Sequence, residues 1–125
     1  MSILGPMEAF DVANRLRASR GRPPLYDLRL AAVDDRVRLS VGVPLVAELL
    51  VEVAEVHMLL IGGGPTLADH PFAPAFLREV ARLAAIAERT VSVCSGAFAL
   101  GEIGLLDGRR CTTHWMLLEA LRRRF

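Results

Sequence analysis

The amino-acid sequence predicts one α/β domain with a mostly parallel sheet. Segments with helical periodicity alternate along the chain with short apolar segments, which is the order of elements in such folds. Two of the apolar segments, 56–61 and 90–93, are continuous runs followed directly by small residues, as expected of buried parallel strands. The 125 residues leave room for a single domain, 1–125, at ~150 residues per domain, and 53% hydrophobic residues suffice for a core.

The first part of the chain predicts one helix followed by extended segments. The helix starts near Pro6, whose missing N–H suits a first helical turn, and it stops at Gly21. Its apolar residues recur at helical spacing: Met7, Phe10, Val12, Ala13 and Leu16. Residues 25–33 alternate between apolar and polar side chains and predict a strand, and residues 37–43 predict a weaker one. Residues 45–56 fit either a short helix or a covering loop.

The second part of the chain predicts a regular alternation of strands and helices. The strand at 56–61 ends in the glycines of 62–64, and the clearest helix follows over 73–89. The apolar stripe of that helix consists of Phe76, Leu77, Val80, Leu83, Ala84 and Ala87. After the strand at 90–93, the expected elements are a helix over 97–103, a short strand over 110–112 and a last helix over 115–124.

Cys94 follows the 90–93 strand directly, and the chain turns into a helix near Ala97. A strand, a nucleophile with small neighbours and then a helix is the layout of a nucleophile elbow. A cysteine at the start of a helix lies near the positive end of the helix dipole, which favours the thiolate. The alternative is a buried core cysteine, because free Cys is among the most buried residue types. The spacing alone is compatible with both.

The glycines at 62–64 predict a second part of the same site, because the carboxyl ends of parallel strands meet at one edge of a sheet. Backbone N–H groups of Gly62, Gly63 and Gly64, with those of Ser95 and Gly96, would stabilise an oxyanion formed by attack of Cys94. The alternative is a flexible loop between a strand and a helix. The Gly-Lys-Ser/Thr of a Walker motif is absent, which excludes that kind of phosphate loop.

His114, in the segment 111–115, is the candidate partner of the thiol. A neutral imidazole near a thiol acts as a base or holds a ligand. The alternative for His114 is a structural role, and Cys111 is interpreted as structural as well.

Composition and charge exclude several classes of function. Fifteen basic and 14 acidic residues leave a net charge of +1, which provides no general attraction to nucleic acid or to an anionic membrane. Two cysteines without a CxxC or Cys/His cluster predict no disulfide scaffold, no metal and no cofactor, and they indicate the cytoplasm. The apolar runs are far shorter than the ~20 residues of a membrane span, and no secretory signal is evident.

Three groups of residues together resemble the ThiJ/PfpI superfamily, which has the class I glutamine amidotransferase-like fold. The longest group comprises 91–100 (VSVCSGAFAL), 104–110 (GLLDGRR) and 112–115 (TTHW). Residues 5–10 (GPMEAF) resemble the first loop and helix of the family, and 60–64 (LIGGG) resemble its glycine loop. Within the superfamily, these groups are most similar to the N-terminal domain of AraC-type transcriptional regulators, with isocyanide hydratases as the enzymatic relatives.

The resemblance implies a flavodoxin-like three-layer α/β sandwich, usually dimeric, with Cys94 at the elbow. In the regulators, such a domain senses a small metabolite and a C-terminal helix-turn-helix domain binds DNA. The resemblance also implies that the chain lacks the first strand of the family and its C-terminal part. DNA would then be contacted only through a domain absent from this chain.

Two residues depart from the enzymatic members of the family. Ser2 stands where those enzymes carry an acidic residue, four positions before the Pro of Gly-Pro, and serine supplies no charge to the cysteine. Ser95 stands where the protease-like members carry a histidine. The first departure favours sensing over turnover, and the second means that the protease-type Cys-His pair is missing.

Three hypotheses follow. The first is a sensor domain of an AraC-type regulator without its helix-turn-helix half, binding a small molecule, homodimeric, cytoplasmic and independent of membranes. The second is a Cys94-dependent hydrolase or hydratase that resembles isocyanide hydratase. The third is a non-functional remnant.

Overall fold

The computed structural model describes residues 3–39, 41–64 and 71–125. The helices in these ranges are α1 (Leu4–Ala18), α2 (Pro74–Ile86), α3 (Gly96–Glu102) and α4 (Leu118–Arg124). The strands in these ranges are β1 (Ala31–Ala32), β2 (Arg36–Arg38), β3 (Pro44–Val46), β4 (Glu48–Leu49), β5 (Met58–Ile61) and β6 (Arg89–Ser92). Single 3-10 turns occupy Leu50–Glu52 and Trp115–Leu117.

The strands pair two by two. β5 and β6 are parallel, with Met58 opposite Arg89 and Ile61 opposite Ser92. β1 and β4 are also parallel, whereas β2 and β3 form an antiparallel pair. The helix α2 lies between β5 and β6 in the chain, as a parallel pair requires, because parallel strands need a long crossover connection. The predicted α/β class with parallel strands is confirmed.

The main core lies where α2 and α3 pack against β5. Val80 and Leu83 of α2 belong to one apolar cluster with Leu59 and Ile61 of β5. Val80 and Leu83 are at most 1% exposed, at two positions of the stripe that the sequence predicts for this helix. Each such side chain contributes about 1.5–3 kcal/mol by leaving water. This core holds the carboxyl ends of β5 and β6 in place, and the candidate site begins there.

The helix α1 is tied to the extended segment that follows it. The side-chain oxygen of Asn14 accepts hydrogen bonds from the N–H groups of Leu25 (2.9 Å) and Tyr26 (3.0 Å), and its Nδ2 donates to the carbonyl of Tyr26 at 2.7 Å. The rings of Phe10 and Tyr26 meet edge to face at 4.7 Å. All residues of α1 are described and none is buried, so these contacts with the 25–26 segment are important in holding α1 against the rest of the domain.

The segment 25–33 is extended, but only part of it is a strand. Its side chains alternate in exposure as predicted, with Leu28 and Leu30 partly buried and Arg29 exposed. Pairing is limited to β1, because among the described residues only that part is bonded in a ladder, to β4.

Three further boundaries differ from the expectation. The predicted strand over 37–43 is not continuous: Val37 and Arg38 belong to β2, whereas residues 41–43, with Gly42 at φ 87°, precede β3 and belong to no strand. Residues 45–56 contain strands and a 3-10 turn, held by Arg82 of α2, whose guanidinium donates to the carbonyls of Leu50 (2.8 Å) and Val53 (3.0 Å). The expected strand at 110–112 is wrong, since that segment belongs to no sheet of the structure as described.

Ser2, the position of the expected acidic residue, lies outside the described residues, as does the segment 65–70 that follows the glycines. Among the helices of the described ranges, none has the length and apolar character that crossing a bilayer requires.

Candidate functional site

Cys94 lies at the bend between β6 and α3. Its backbone has φ 57°, in the left-handed region, and it is the non-glycine residue with positive φ among those described. That conformation costs a residue with a Cβ atom roughly 1–2 kcal/mol. The N–H of Gly96 donates to the carbonyl of Val93 at 3.1 Å, which closes the bend around Cys94. The side chain is partly exposed, so the thiol is neither buried in the core nor free of its surroundings.

The bend is packed directly against the end of β5. The N–H of Val93 donates to the carbonyl of Ile61 at 2.9 Å. A Cβ atom on Gly96 would overlap that same carbonyl and would lie 3.0 Å from its carbon atom. Since real Cβ contacts are not that short, only glycine fits at Gly96, and α3 can therefore start immediately after the bend.

The glycine loop 62–64 touches the residue after the cysteine. A Cβ atom on Gly63 would lie 2.6 Å from the nitrogen of Ser95 and 2.8 Å from the carbonyl oxygen of Val93. The hydroxyl of Ser95 donates to the carbonyl of Gly64 at 2.7 Å and accepts from its N–H at 2.9 Å. The structure thus brings together Gly63, Gly64, Ser95 and Cys94 within one small region.

The segment that carries His114 reaches the bend through its neighbour. Thr113 donates its Oγ1 proton to the carbonyl of Cys94 at 2.7 Å. His114 itself is exposed and makes local contacts: its Nδ1 accepts from the N–H of Met116 at 3.3 Å, and its ring stacks on Trp115 at 5.8 Å. Neither of these contacts joins His114 to the thiol, so its role as a base stays a prediction.

Thr113 is the contact that sequence reasoning missed. It was part of the TTHW group, but no spacing rule indicates that a threonine side chain bonds to the main chain 19 residues earlier. Only the fold brings the two segments together.

Cys111 is exposed and lies in a different place. Together with Arg109 and Arg122, it lines a groove of about 470 Å³ between the 106–111 segment and α4. A second groove, of about 450 Å³, lies between α1 and Leu28 and includes Glu8. Cys94 lines neither groove.

In the part of the chain that the structure describes, no three His, Cys, Asp or Glu side chains are grouped as a metal ion would require.

Comparison with known proteins finds similarity along nearly the whole chain. The DJ-1/PfpI family model matches residues 6–124. The uncharacterized protein in the cpoL 5'region of Streptomyces lividans is 39% identical over 126 residues, covering 99% of this chain and 85% of that protein.

Two relatives carry functional names. The HTH-type transcriptional regulator GlxA of Rhizobium meliloti (strain 1021) is 35% identical over 129 residues, which cover 100% of this chain and 38% of the regulator. The isonitrile hydratase of Pseudomonas putida is 44% identical over 60 residues, 48% of this chain and 25% of the hydratase. The chain thus spans well under half the length of either protein. The family match extends over nearly the whole chain and includes the bend at Cys94, and the chain belongs to the DJ-1/PfpI family.

Proposed function

We propose that this domain is the small-molecule sensor of an AraC-type transcriptional regulator. The observation that carries the proposal is the 35% identity to an HTH-type transcriptional regulator along the whole chain. In the proposed arrangement, the ligand binds beside the Cys94 thiol, next to the glycine loop. A helix-turn-helix module outside these 125 residues contacts DNA, and the domain works as a homodimer in the cytoplasm.

The geometry of the bend supports a ligand-binding role for Cys94. Its left-handed backbone is unfavourable for any side chain, and such strain clusters at functional sites. Cys94 is partly exposed, and Gly63 packs against the main chain of the next residue, Ser95. A carbonyl or other polar group of a ligand could therefore be held by main-chain N–H groups while its carbon faces the sulfur.

The experiment is performed in the source cells. Chromatin immunoprecipitation with an antibody against this domain should enrich one promoter region, and a small molecule that shifts the melting temperature of the purified chain should change transcription there. Cys94→Ala should reduce both the shift and the response, while Cys111→Ala, which changes the other cysteine, should leave them unaltered. No promoter enrichment, or a full response in Cys94→Ala, would contradict the proposal.

The second candidate is a cysteine-dependent hydratase or hydrolase. It is favoured by the 44% identity to isonitrile hydratase over 60 residues. Here the Cys94 sulfur would attack an electrophilic carbon, and N–H groups near Gly63 and Ser95 would hold the developing anion. Turnover of isonitriles, glyoxals or small amides by the wild type, abolished in Cys94→Ala, would favour this candidate over the sensor. Equal rates for wild type and variant with every substrate would eliminate it.

A homodimer is tested independently of the ligand. Light scattering of the purified chain should give about twice its 13.6 kDa mass.

A further inference from the structure

We propose that Ser95 is a positioning residue, whose hydroxyl holds the glycine loop 62–64 at a set distance from the Cys94 thiol. The proposal rests on the proposed function in one respect, namely that a small molecule occupies the space beside Cys94. It assigns the Ser95 side chain a task different from ligand binding.

The first argument is the hydrogen-bonding capacity of the hydroxyl. A serine side chain has one proton to donate. In Ser95 that proton is committed to the carbonyl of Gly64 at 2.7 Å, and a lone pair accepts the Gly64 N–H at 2.9 Å. The residue is 0% exposed, so its side chain is closed to solvent. The hydroxyl therefore binds the loop and is not offered to a ligand.

The second argument is that the loop packs directly against the main chain of the bend. Gly63 approaches the main chain of Ser95 so closely that a Cβ atom would lie 2.6 Å from its nitrogen. Where two stretches of main chain pack this closely, their buried N–H and carbonyl groups need hydrogen-bond partners, because a buried polar group without a partner lowers the free energy of unfolding. The two bonds to Gly64 join the loop after β5 to the residue beside the thiol, across 31 positions of sequence.

The consequence is a division of tasks at the site. The sulfur of Cys94 reacts, and the Ser95 hydroxyl determines where the remaining N–H groups of the loop lie relative to it. Loss of the hydroxyl should impair reactions that place an oxygen atom against these N–H groups. Reactions that need only an accessible thiol should be unaffected.

Two probes separate these cases. Trifluoroacetone forms a hemithioketal: the Cys94 sulfur bonds to the carbonyl carbon, the π electron pair moves to the oxygen, and the thiol proton ends on that oxygen. Iodoacetamide alkylates the same sulfur by displacing iodide and develops no such oxygen. ¹⁹F NMR measures the first equilibrium, and mass spectrometry of the Cys94 peptide measures the rate of the second.

In Ser95→Ala, the affinity for trifluoroacetone should fall about tenfold, the equivalent of about 1.4 kcal/mol, while the alkylation rate stays within about twofold of wild type. Ser19→Ala is the matched control: its hydroxyl also donates to a main-chain carbonyl, that of Leu16 at 2.9 Å, but at the exposed end of α1. It should change neither quantity. If Ser95→Ala loses the same factor in both reactions, Ser95 has a merely structural role and the proposal is overturned. An unchanged affinity for trifluoroacetone in Ser95→Ala, or a wild type that forms no adduct, would overturn it too.

A second measurement needs no variant. In the wild type, hydrogen exchange followed by NMR should show the Gly64 amide protected at least tenfold relative to an unstructured peptide, because its N–H is bonded to Ser95. An unprotected Gly64 amide would overturn the proposal even if Ser95→Ala fails to fold. None of these results depends on DNA binding, so failure of the regulator proposal and failure of the Ser95 proposal are distinguishable.

Discussion

Cys94 keeps a side chain in a conformation that favours glycine. Its φ of 57° lies in the left-handed region, where a Cβ atom approaches the following carbonyl. The surrounding contacts impose this geometry, because Gly96 and Val93 are both bonded or packed against the end of β5. A cysteine at this position therefore makes the fold less stable than glycine would, but it places a thiol at the bend.

This strain is measurable by comparing two substitutions at the same position. Cys94→Gly should be more stable than Cys94→Ala by about 1 kcal/mol in urea unfolding, since both lack the thiol and only alanine keeps the Cβ atom. An alanine variant as stable as the glycine variant would show that the bend carries no strain.

The glycine loop tolerates no side chain at its centre. Gly63→Ala should lower the free energy of unfolding by about 1–3 kcal/mol, because its Cβ atom would meet main-chain atoms of Ser95 and Val93 that cannot turn away. Gly5→Ala is the control: apart from the two neighbouring residues, nothing lies within 4 Å of a Cβ atom there, and Gly5 lies in α1 directly before Pro6. It should change the free energy of unfolding by less than about 1 kcal/mol, because the helix propensity of alanine offsets the penalty for a Cβ atom before proline. Equal effects of the two would contradict the close approach seen at Gly63.

At the scale of elements, α4 supports the helix that starts at the bend. Leu121 is 4% exposed and packs in one cluster with Ala97 and Phe98 of α3. Arg124 bonds to Glu102, and the ring of Phe125 meets that of Phe98 at 6.2 Å. Through these contacts, α4 fixes α3, and α3 fixes the position of Cys94.

Leu121→Ala should therefore lower the free energy of unfolding by about 2–5 kcal/mol, because it opens a cavity under α3. Leu118→Ala on the same helix removes a side chain that is 39% exposed and should cost much less, about 0.5 kcal/mol. Chemical denaturation of both variants measures the difference. If the two losses were equal, α4 would not be docked through Leu121.

A charge pair links the segment before β1 to β4. Arg29 bonds to Glu48, with Nε to Oε1 at 3.0 Å, and this hydrogen bond holds the pKa of the Glu48 carboxyl below its ordinary value. The same bond raises the pKa of Arg29. A carboxyl with a lowered folded-state pKa stabilises above its unfolded-state pKa, and this contribution is lost as the pH falls through the folded-state value.

Glu48→Gln should therefore melt slightly below wild type near neutral pH, and the difference should shrink once the pH falls below about 4.3 and vanish below the folded-state pKa of Glu48. The effect is small because both side chains are exposed to solvent, which screens the pair. Glu55→Gln, another exposed glutamate, serves as the control and should show no such convergence. Melting curves at a series of pH values test this, and a difference that grows in acid would be the wrong sign.

At the scale of the whole molecule, stability is unevenly distributed. Residues of β5, α2 and α3 share one apolar cluster, whereas α1 has no buried residue and exposes Leu4, Val12 and Leu16. Among the described residues, the three strand pairs share no hydrogen bonds with one another, so strand pairing does not connect the first half of the chain to the second.

Hydrogen exchange should reflect this distribution. Amides of β5, β6 and α3 should be the most protected, and those of α1 should exchange at least tenfold faster, because little buried apolar surface opposes their opening. Uniform protection along the chain would show that α1 is covered in solution, for example by a second copy.

The sequence alone determined the elements that depend on local patterns and the family to which they belong. The stripe of α2, the continuous run of β5 and the glycines after it are periodic or compositional features, and each appears in the structure near its predicted position. The placement of Cys94 between β6 and α3 is equally local. What only the tertiary structure decided are contacts between distant segments: Ser95 with Gly64, Thr113 with Cys94, and the limited pairing of the 25–33 segment. These depend on which surfaces meet when the chain packs, and no periodicity along the sequence encodes a meeting between two separated residues.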